Sequence, residues 1–173
     1  NKEEYVFASS WGISTRLIGA IIMVHGDDNG LRLPPKIAPT QVVIVPFFRN
    51  DDELNNIKEY LSSQCNSFSS KQIRWIMDDR HKMSPGFKFN QWELKGAPIR
   101  IEVGLKEIES KTITIFRRDT NQKETISIDF LESKIDELLD QIQTSMLNQA
   151  TEFMNSNIFN VSSYEEFKKQ IDI

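Results

Sequence analysis

Between Arg80 and Lys106 the chain reads R-H-K-M-S-P-G-F-K-F-N-Q-W-E-L-K-G-A-P-I-R-I-E-V-G-L-K, with cations set among Phe87, Phe89 and Trp92. Unpaired RNA is bound by this combination, because cations meet the phosphate backbone while rings and guanidinium planes stack on exposed bases. An amphipathic helix with its aromatics turned to the core fits the same letters. Phe89 and Trp92 are three apart and share a helical face, which supports that second reading for at least one of them. The charge distribution adds to the first. Residues 71–118 carry 11 basic and 6 acidic side chains, against 6 and 8 in residues 1–70 and 4 and 11 in residues 119–173, within a chain of net charge −4. Phosphate attraction follows local potential, so a basic stretch in an acidic protein can still recruit nucleic acid.

Other chemistries lack their residues. There is no G-x-x-x-x-G-K-[ST] or G-x-G-x-x-G loop to cradle phosphates, and no H-E-x-x-H or cysteine cluster to hold a metal. The two histidines, His25 and His81, lie in different segments, and Cys65 is the single cysteine, which excludes an internal disulfide. Cys65 reads as a core or helix-end residue. Asp27 and Asp28 sit in G-D-D-N-G, where Asp and Asn bond their own backbone, so a turn is favoured over a metal pair. The longest apolar stretch, Leu17 to Val24, is too short to cross a bilayer. No membrane association is expected, and the chain reads as cytoplasmic.

Those residues must be held by an α/β framework. Tyr5 to Trp11 reads as a strand, and Ser14-Thr15 precedes an apolar run (Leu17, Ile18, Ala20, Ile21, Ile22, Val24) that reads as a capped, buried helix. Gly26 to Gly30, Pro34-Pro35 and Pro39 mark an irregular connection and a domain boundary. Gln41 to Pro46 has the β-branched run of a buried strand. Asn50 or Asp51 caps a helix bearing Leu54, Ile57, Tyr60 and Leu61. Ile73 to Met77 is a second strand. Ser84 and Pro85 start a helix that Gly96 ends, and Pro98 to Val103 is a third strand. Thr112 to Arg118 and Glu124 to Ile128 form a hairpin around Asp119-Thr-Asn-Gln. From about Asp129, Leu131, Ile135, Leu138, Ile142 and Met146 make one apolar helical face. Tyr164 to Ile171 is a last short helix. The fold class expected is α/β: a mixed, mostly parallel sheet of about five strands flanked by helices, preceded by a strand–helix unit.

Several stretches together resemble one family. Trp11-Gly-Ile-Ser-Thr-Arg-Leu-Ile-Gly-Ala-Ile-Ile-Met-Val-His-Gly-Asp-Asp28, running on to Gly30-Leu-Arg-Leu-Pro-Pro-Lys-Ile-Ala-Pro39, is similar to the third class II motif of prolyl-tRNA synthetases, of the archaeal/eukaryotic-like type. Gln41-Val-Val-Ile-Val-Pro46 resembles the first strand of their anticodon-binding domain. Asp78-Asp-Arg80, Ser84-Pro-Gly-Phe-Lys-Phe-Asn90 with Trp92-Glu-Leu-Lys-Gly96, Pro98-Ile-Arg-Ile-Glu-Val-Gly104 and Arg117-Arg-Asp119 continue it. The match covers about residues 5–145. It implies residues 1–38 as the end of a class II catalytic domain, 39–158 as the anticodon-binding domain and 159–173 as the start of an extension. A non-catalytic RNA- or partner-binding module on the same domain is the alternative.

The resemblance also implies roles. Arg16 would hold the triphosphate of ATP, present with Mg in the intact enzyme. Glu93, Arg100 and Lys106 match the residues that read the two guanines of proline anticodons. Phe89 would stack near the anticodon loop, and Lys88 and Lys95 would meet phosphates. The alternatives are a pairing of Glu93 with a nearby lysine and of Arg100 with Glu102, the latter although strand neighbours face opposite ways; the RNA roles are favoured. The partners implied are proline tRNA, proline and ATP, with a homodimer for the intact enzyme. Motifs 1 and 2 and the C-terminal zinc-associated domain are not in the sequence, so this chain alone is expected not to activate proline.

Overall fold

The computed structural model describes residues 2–171. One five-stranded sheet organises it, in the order β4-β3-β5-β6-β7. β3 (Val42–Pro46) is an interior strand, next to the edge, with β4 (Trp75–Met77) and β5 (Ile99–Val103) parallel on its two sides. β6 (Thr112–Arg117) and β7 (Lys123–Ser127) extend the sheet antiparallel beyond β5. All five residues of β3 are buried, as an apolar β-branched run covered on both faces requires, and all five of β5 are buried too, although Arg100 and Glu102 alternate there with apolar residues.

α2 (Asp51–Tyr60) and α3 (Ser62–Ser70) follow β3. Asn50 caps α2 by accepting from the Glu53 amide at 2.9 Å, and Asp51, Asp52 and Glu53 in the first turn face the positive end of the helix. The single helix expected here breaks at Leu61, which turns fully inward. A 3-10 turn at Ile128–Phe130 leads into α6 (Leu131–Ser156), a helix of 26 residues. Ile57, Leu61 and Phe68 pack with Leu131, Ile135, Leu138 and Ile142 against Val42, Ile44, Ile99, Ile101, Ile113 and Ile115, and this is the main core. The expected apolar face of α6 is the one buried there. Cys65 joins this core, where burial pushes its thiol up to about 11. We expect it to resist a water-soluble disulfide reagent in the native chain and to react promptly in denaturant, as followed by thiolate release.

The opposite face is covered differently. α4 (Pro85–Leu94) crosses it after β4, with Ser84 accepting from the Phe87 amide at 3.3 Å and Pro85 in the first turn. Its apolar contact is small: Val43, Val45, Trp92 and Ala97, with Phe89 beside them. α4 ends where expected, at Gly96, whose φ of 75° a side chain rarely adopts. Over β5, β6 and β7 this face carries charge instead of apolar cover.

The first segment differs from expectation. Residues 2–14 form no strand; Tyr5, Phe7 and Trp11 are exposed and lack a paired neighbour among the described residues. α1 (Arg16–His25) does form, but none of it is buried and Thr15 makes no side-chain cap bond. Apolarity foretold burial, yet nothing among the described residues covers Ile18 or Ile22. The G-D-D-N-G stretch is a tight hairpin of β1 (Gly26–Asp27) and β2 (Gly30–Leu31). Asp27 Oδ1 accepts from the Asn29 amide at 2.9 Å, the turn that the composition predicts. α5 (Leu105–Ser110) and α7 (Tyr164–Ile171) complete the helices.

Candidate nucleic-acid interface

The site is built from α4 downward. Asp78, just beyond β4, is buried and gathers four donors. Arg80 gives it Nε and Nη2, each at 2.7 Å, and Trp92 gives Nε1 at 2.8 Å. Lys88 Nζ meets the Asp78 carbonyl at 2.9 Å. Burial pushes the Asp78 carboxyl up, but these bonds and the charges of Arg80 and Lys88 outweigh it and hold the group at about 2. This anchor fixes the rotation of α4 about its axis. Lys88 is therefore not a surface phosphate contact: it is 2% exposed, and burial lowers its pKa. Its four-carbon stem passes under α4 and carries the ammonium inward. Lys95 does stay at the surface, 4.5 Å from the centre of the Trp92 ring.

With α4 so placed, Phe89 and Glu93 project over β5. Arg100 rises from β5 between two rings, its guanidinium carbon 3.9 Å from the Phe89 centroid and 4.1 Å from that of Phe116. Its Nη1 donates to Glu93 Oε1 at 2.6 Å and its Nε to Glu102 Oε1 at 3.0 Å, with Nη2 equally close to the same Glu102 oxygen. Glu102 Oε2 accepts from Lys123 Nζ at 2.8 Å. The Arg100–Glu102 pair, one of the alternatives above, is formed, and the objection to it falls. Residues 100 and 102 are two apart, not adjacent, so they share a face of the strand.

Strand register explains the rest. Arg100 pairs with Phe116, and Phe116 pairs with Lys123, so the three stand in one rank across β5, β6 and β7. The Arg100 side chain is only 5% exposed, while Glu93 is 26% and Lys123 51% exposed. Both faces of the guanidinium are covered and its fork is engaged. Arg100 thus holds Glu93 in place; the groups that reach solvent are Glu93 and Phe89 in part and Lys123 by half. Phe116 and Lys123 carried no motif signal, and the hairpin register could have revealed them; Glu102 stands among the alternatives as a partner of Arg100, and the i, i+2 spacing could have decided that pairing.

Lys106 lies one step away. Phe89 meets Phe47 edge-on at 6.0 Å, and Phe47 lines a groove of about 630 Å³ with Phe48, Arg49 and the exposed Lys106. This groove opens at the carboxyl ends of β3 and β5, whose connections leave in opposite directions, the position where open α/β sheets bind ligands. Glu93, Arg100 and Phe89 thus form one cluster, joined to Lys106 through Phe47. Arg16 is elsewhere, exposed on α1.

The β1–β2 hairpin is tied to the same layer. Buried Arg118, just past β6, gives Asp27 a bidentate pair at 2.9 and 2.5 Å. Those bonds, against a smaller opposing effect of burial, hold the Asp27 carboxyl at about 2. No cluster of three potential metal ligands occurs among the described residues, and no helix there is long and apolar enough to cross a membrane.

Residues 41–138, more than half of the chain, match the family model of the anticodon-binding domain. This chain belongs to the anticodon-binding domain family. The matched span begins just before β3 and runs into α6, so it contains the whole sheet and the charged cluster. Over 171 residues the chain is 46% identical to a proline–tRNA ligase of Parabacteroides distasonis, covering 99% of this chain and 35% of that protein. A proline–tRNA ligase of Roseiflexus is 43% identical over 175 residues, with 99% and 36% covered. The crystal structure of prolyl-tRNA synthetase from Cryptosporidium parvum, complexed with L-proline and AMP, superposes with a TM-score of 0.79 at 37% identity, covering 91% of this chain and 34% of that one. The chain spans about a third of the length of these relatives. Its anticodon-binding domain and α/β fold are as the sequence led us to expect.

Proposed function

We propose that this chain is the anticodon-reading part of a proline–tRNA ligase, with Glu93 as its principal base-reading group. The observation that carries this is a carboxylate about a quarter exposed, fixed by a buried, ring-sandwiched arginine on a sheet face with little apolar cover. A carboxylate accepts from the N1 and N2 hydrogens of guanine, which proline anticodons present twice. Lys106, at the mouth of the neighbouring groove, supplies a cation to a base acceptor or a phosphate. Phe89 offers its partly exposed ring to the loop, and Arg100 acts through Glu93. The lengthwise similarity to proline–tRNA ligases supports this reading over a free-standing RNA-binding module.

The intact protein would join proline to its tRNA in two steps, adenylate formation and transfer to the terminal ribose. ATP with magnesium, when bound, supplies the phosphate that proline attacks. Arg16, exposed at the first turn of α1, has the guanidinium fork that suits a phosphate. Residues 1–38 would belong to the catalytic part, 39–158 to the anticodon-binding domain and 159–173 to an extension. The archaeal/eukaryotic-like type, a homodimer and a cytoplasmic place complete the reading.

The test is binding of this chain to the anticodon stem-loop of proline tRNA at fixed salt, beside a loop with both guanines replaced. We expect roughly 1–3 kcal/mol of preference for the guanine loop. Glu93→Gln should remove most of that preference and leave the salt-sensitive phosphate component. Equal binding of both loops by the unaltered chain would overturn the reading.

A further inference from the structure

We propose that the pocket between the β2–β3 connection and the end of α4 is a binding site for a small, flat aromatic acid. The inference goes beyond the anticodon reading and does not depend on it. The pocket holds about 430 Å³, within the range of small-molecule sites. Leu31, Leu33 and Pro39 line it from the connection. Trp92, Leu94 and Ala97 line it from α4 and the turn that follows.

Its walls are fixed by tight tertiary contacts. Gly96 has a φ of 75°, and a Cβ added there would lie 2.8 Å from both Leu31 Cβ and Leu33 Cγ. Gly30 packs closely on the Leu94 backbone in the same way. Farther along the connection, Arg74 donates Nε to the Ala38 carbonyl at 2.9 Å and Nη2 to the Pro35 carbonyl at 2.7 Å. Those bonds hold the chain just before Pro39. A pocket kept open by such contacts is pre-formed, so a ligand need not order it.

The lining sets the chemistry of the ligand. The Trp92 N–H is spent on Asp78, so the indole offers the pocket carbon surface. Thr40 and Lys95 bring the two aliphatic polar side chains. Lys95 is the one charged residue in the lining, and no acidic residue stands there to balance it. Its Nζ lies 4.5 Å from the centre of the Trp92 ring. An unanswered ammonium beside an aromatic, leucine-lined surface suits an anion with an apolar, flat body. The ring system packs on the indole and leucines, and the carboxylate meets Nζ. One or two fused rings fit the volume, whereas a helix, about 10 Å across, would not enter.

The test uses this chain with 2-naphthoate as the probe and 2-naphthamide as its uncharged counterpart. Calorimetry gives the affinities and amide proton–nitrogen NMR shifts locate the site. We expect 2-naphthoate to bind with a dissociation constant on the order of 0.1 mM, which about 13 non-hydrogen atoms can supply. Shifts should centre on residues 31–33, 39–40 and 92–97. The amide should bind about fivefold more weakly, and added salt should narrow that gap. Lys95→Met should bring acid and amide to equal affinity, which isolates the charge. Thr40→Phe, which places a ring in the pocket, should remove binding of both probes at an unchanged melting temperature. Leu94→Trp, at an exposed position, serves the same end if phenylalanine disturbs folding. Equal affinity of acid and amide for the unaltered chain would reduce the pocket to an apolar cleft and overturn the proposal. Shifts centred elsewhere, or no binding at millimolar probe, would overturn it too. Failure of the anticodon reading would leave each of these outcomes unaffected.

Discussion

Asp78→Ala is expected to lower folding stability by about 3 kcal/mol, because breaking a buried ion pair leaves partners unpaired. That corresponds to roughly 10 °C in melting temperature for a chain of this size. Two side chains lose their common carboxylate acceptor, Arg80 and, through its indole N–H, Trp92, while Lys88 keeps the main-chain carbonyl of residue 78. The half-exposed Arg80 can return to water, which keeps the loss below that of a fully enclosed pair. Differential scanning calorimetry at neutral pH measures it. The same carboxyl sets an acid limit. Its folded value of about 2 lies below the ordinary 3.8, so its contribution is complete above about pH 4 and is lost as the pH falls towards 2. The alanine variant should therefore lose less stability than the parent between pH 4 and pH 2. A variant as acid-sensitive as the parent would remove Asp78 from the account. Because Asp78 fixes α4, guanine preference should weaken as well, although Asp78 touches no RNA.

Gly30→Ala is expected to detach the β1–β2 hairpin from α4. An added Cβ would lie 2.4 Å from the Leu94 Cα and 2.8 Å from the Glu93 carbonyl oxygen, both backbone atoms with little freedom to yield. The φ of +129° adds strain for any side chain. We expect a loss of about 2–3 kcal/mol, the upper end for a residue forced into such a conformation, concentrated in residues 26–33. Amide hydrogen exchange should rise there while β3 and β5 remain protected. Gly19→Ala is the control, since nothing lies within 4 Å of its Cβ and it sits within α1, where alanine is the better helix former. If exchange in residues 26–33 is unchanged by Gly30→Ala, the close approach of hairpin and helix is wrong. The Glu93 carbonyl is among the atoms struck, so a displaced hairpin should also disturb the reading carboxylate.

The sheet and its helices were largely legible because their signals are local. Val42 to Pro46 is β-branched and punctuated, Asn50 and Ser84 are good caps, Gly96 stops a helix, and Leu131 to Met146 repeats at helical spacing. The missed features depend on distant chain. Apolar residues in α1 promise burial, yet burial needs a partner that periodicity does not name. The break at Leu61 reflects a side chain drawn into the core between two helices, a tertiary choice that overrides propensity. In the site, Glu93, Phe89 and Arg100 could be selected from letters and family resemblance. Arg100's occupation by two carboxylates could not, because it needs the register that brings Phe116 and Lys123 beside it. Lys88 shows the reverse case. A lysine in a basic, aromatic run looks like a phosphate contact until the rotation of α4, set by Asp78, turns it inward.

The place of β3 between two parallel strands has a consequence for synthesis. Its parallel neighbours are residues 75–77 and 99–103, so a nascent chain exposes a five-residue apolar strand well before either partner has left the ribosome. Parallel pairing of distant segments is slow, and such a strand invites association with other chains meanwhile. The residues that follow it, Pro46 at its end and then Arg49, Asp51, Asp52 and Glu53, are the kind that blunt this hazard. The acidic turn that starts α2 in the finished protein can thus guard the strand before it while that strand waits for its neighbours.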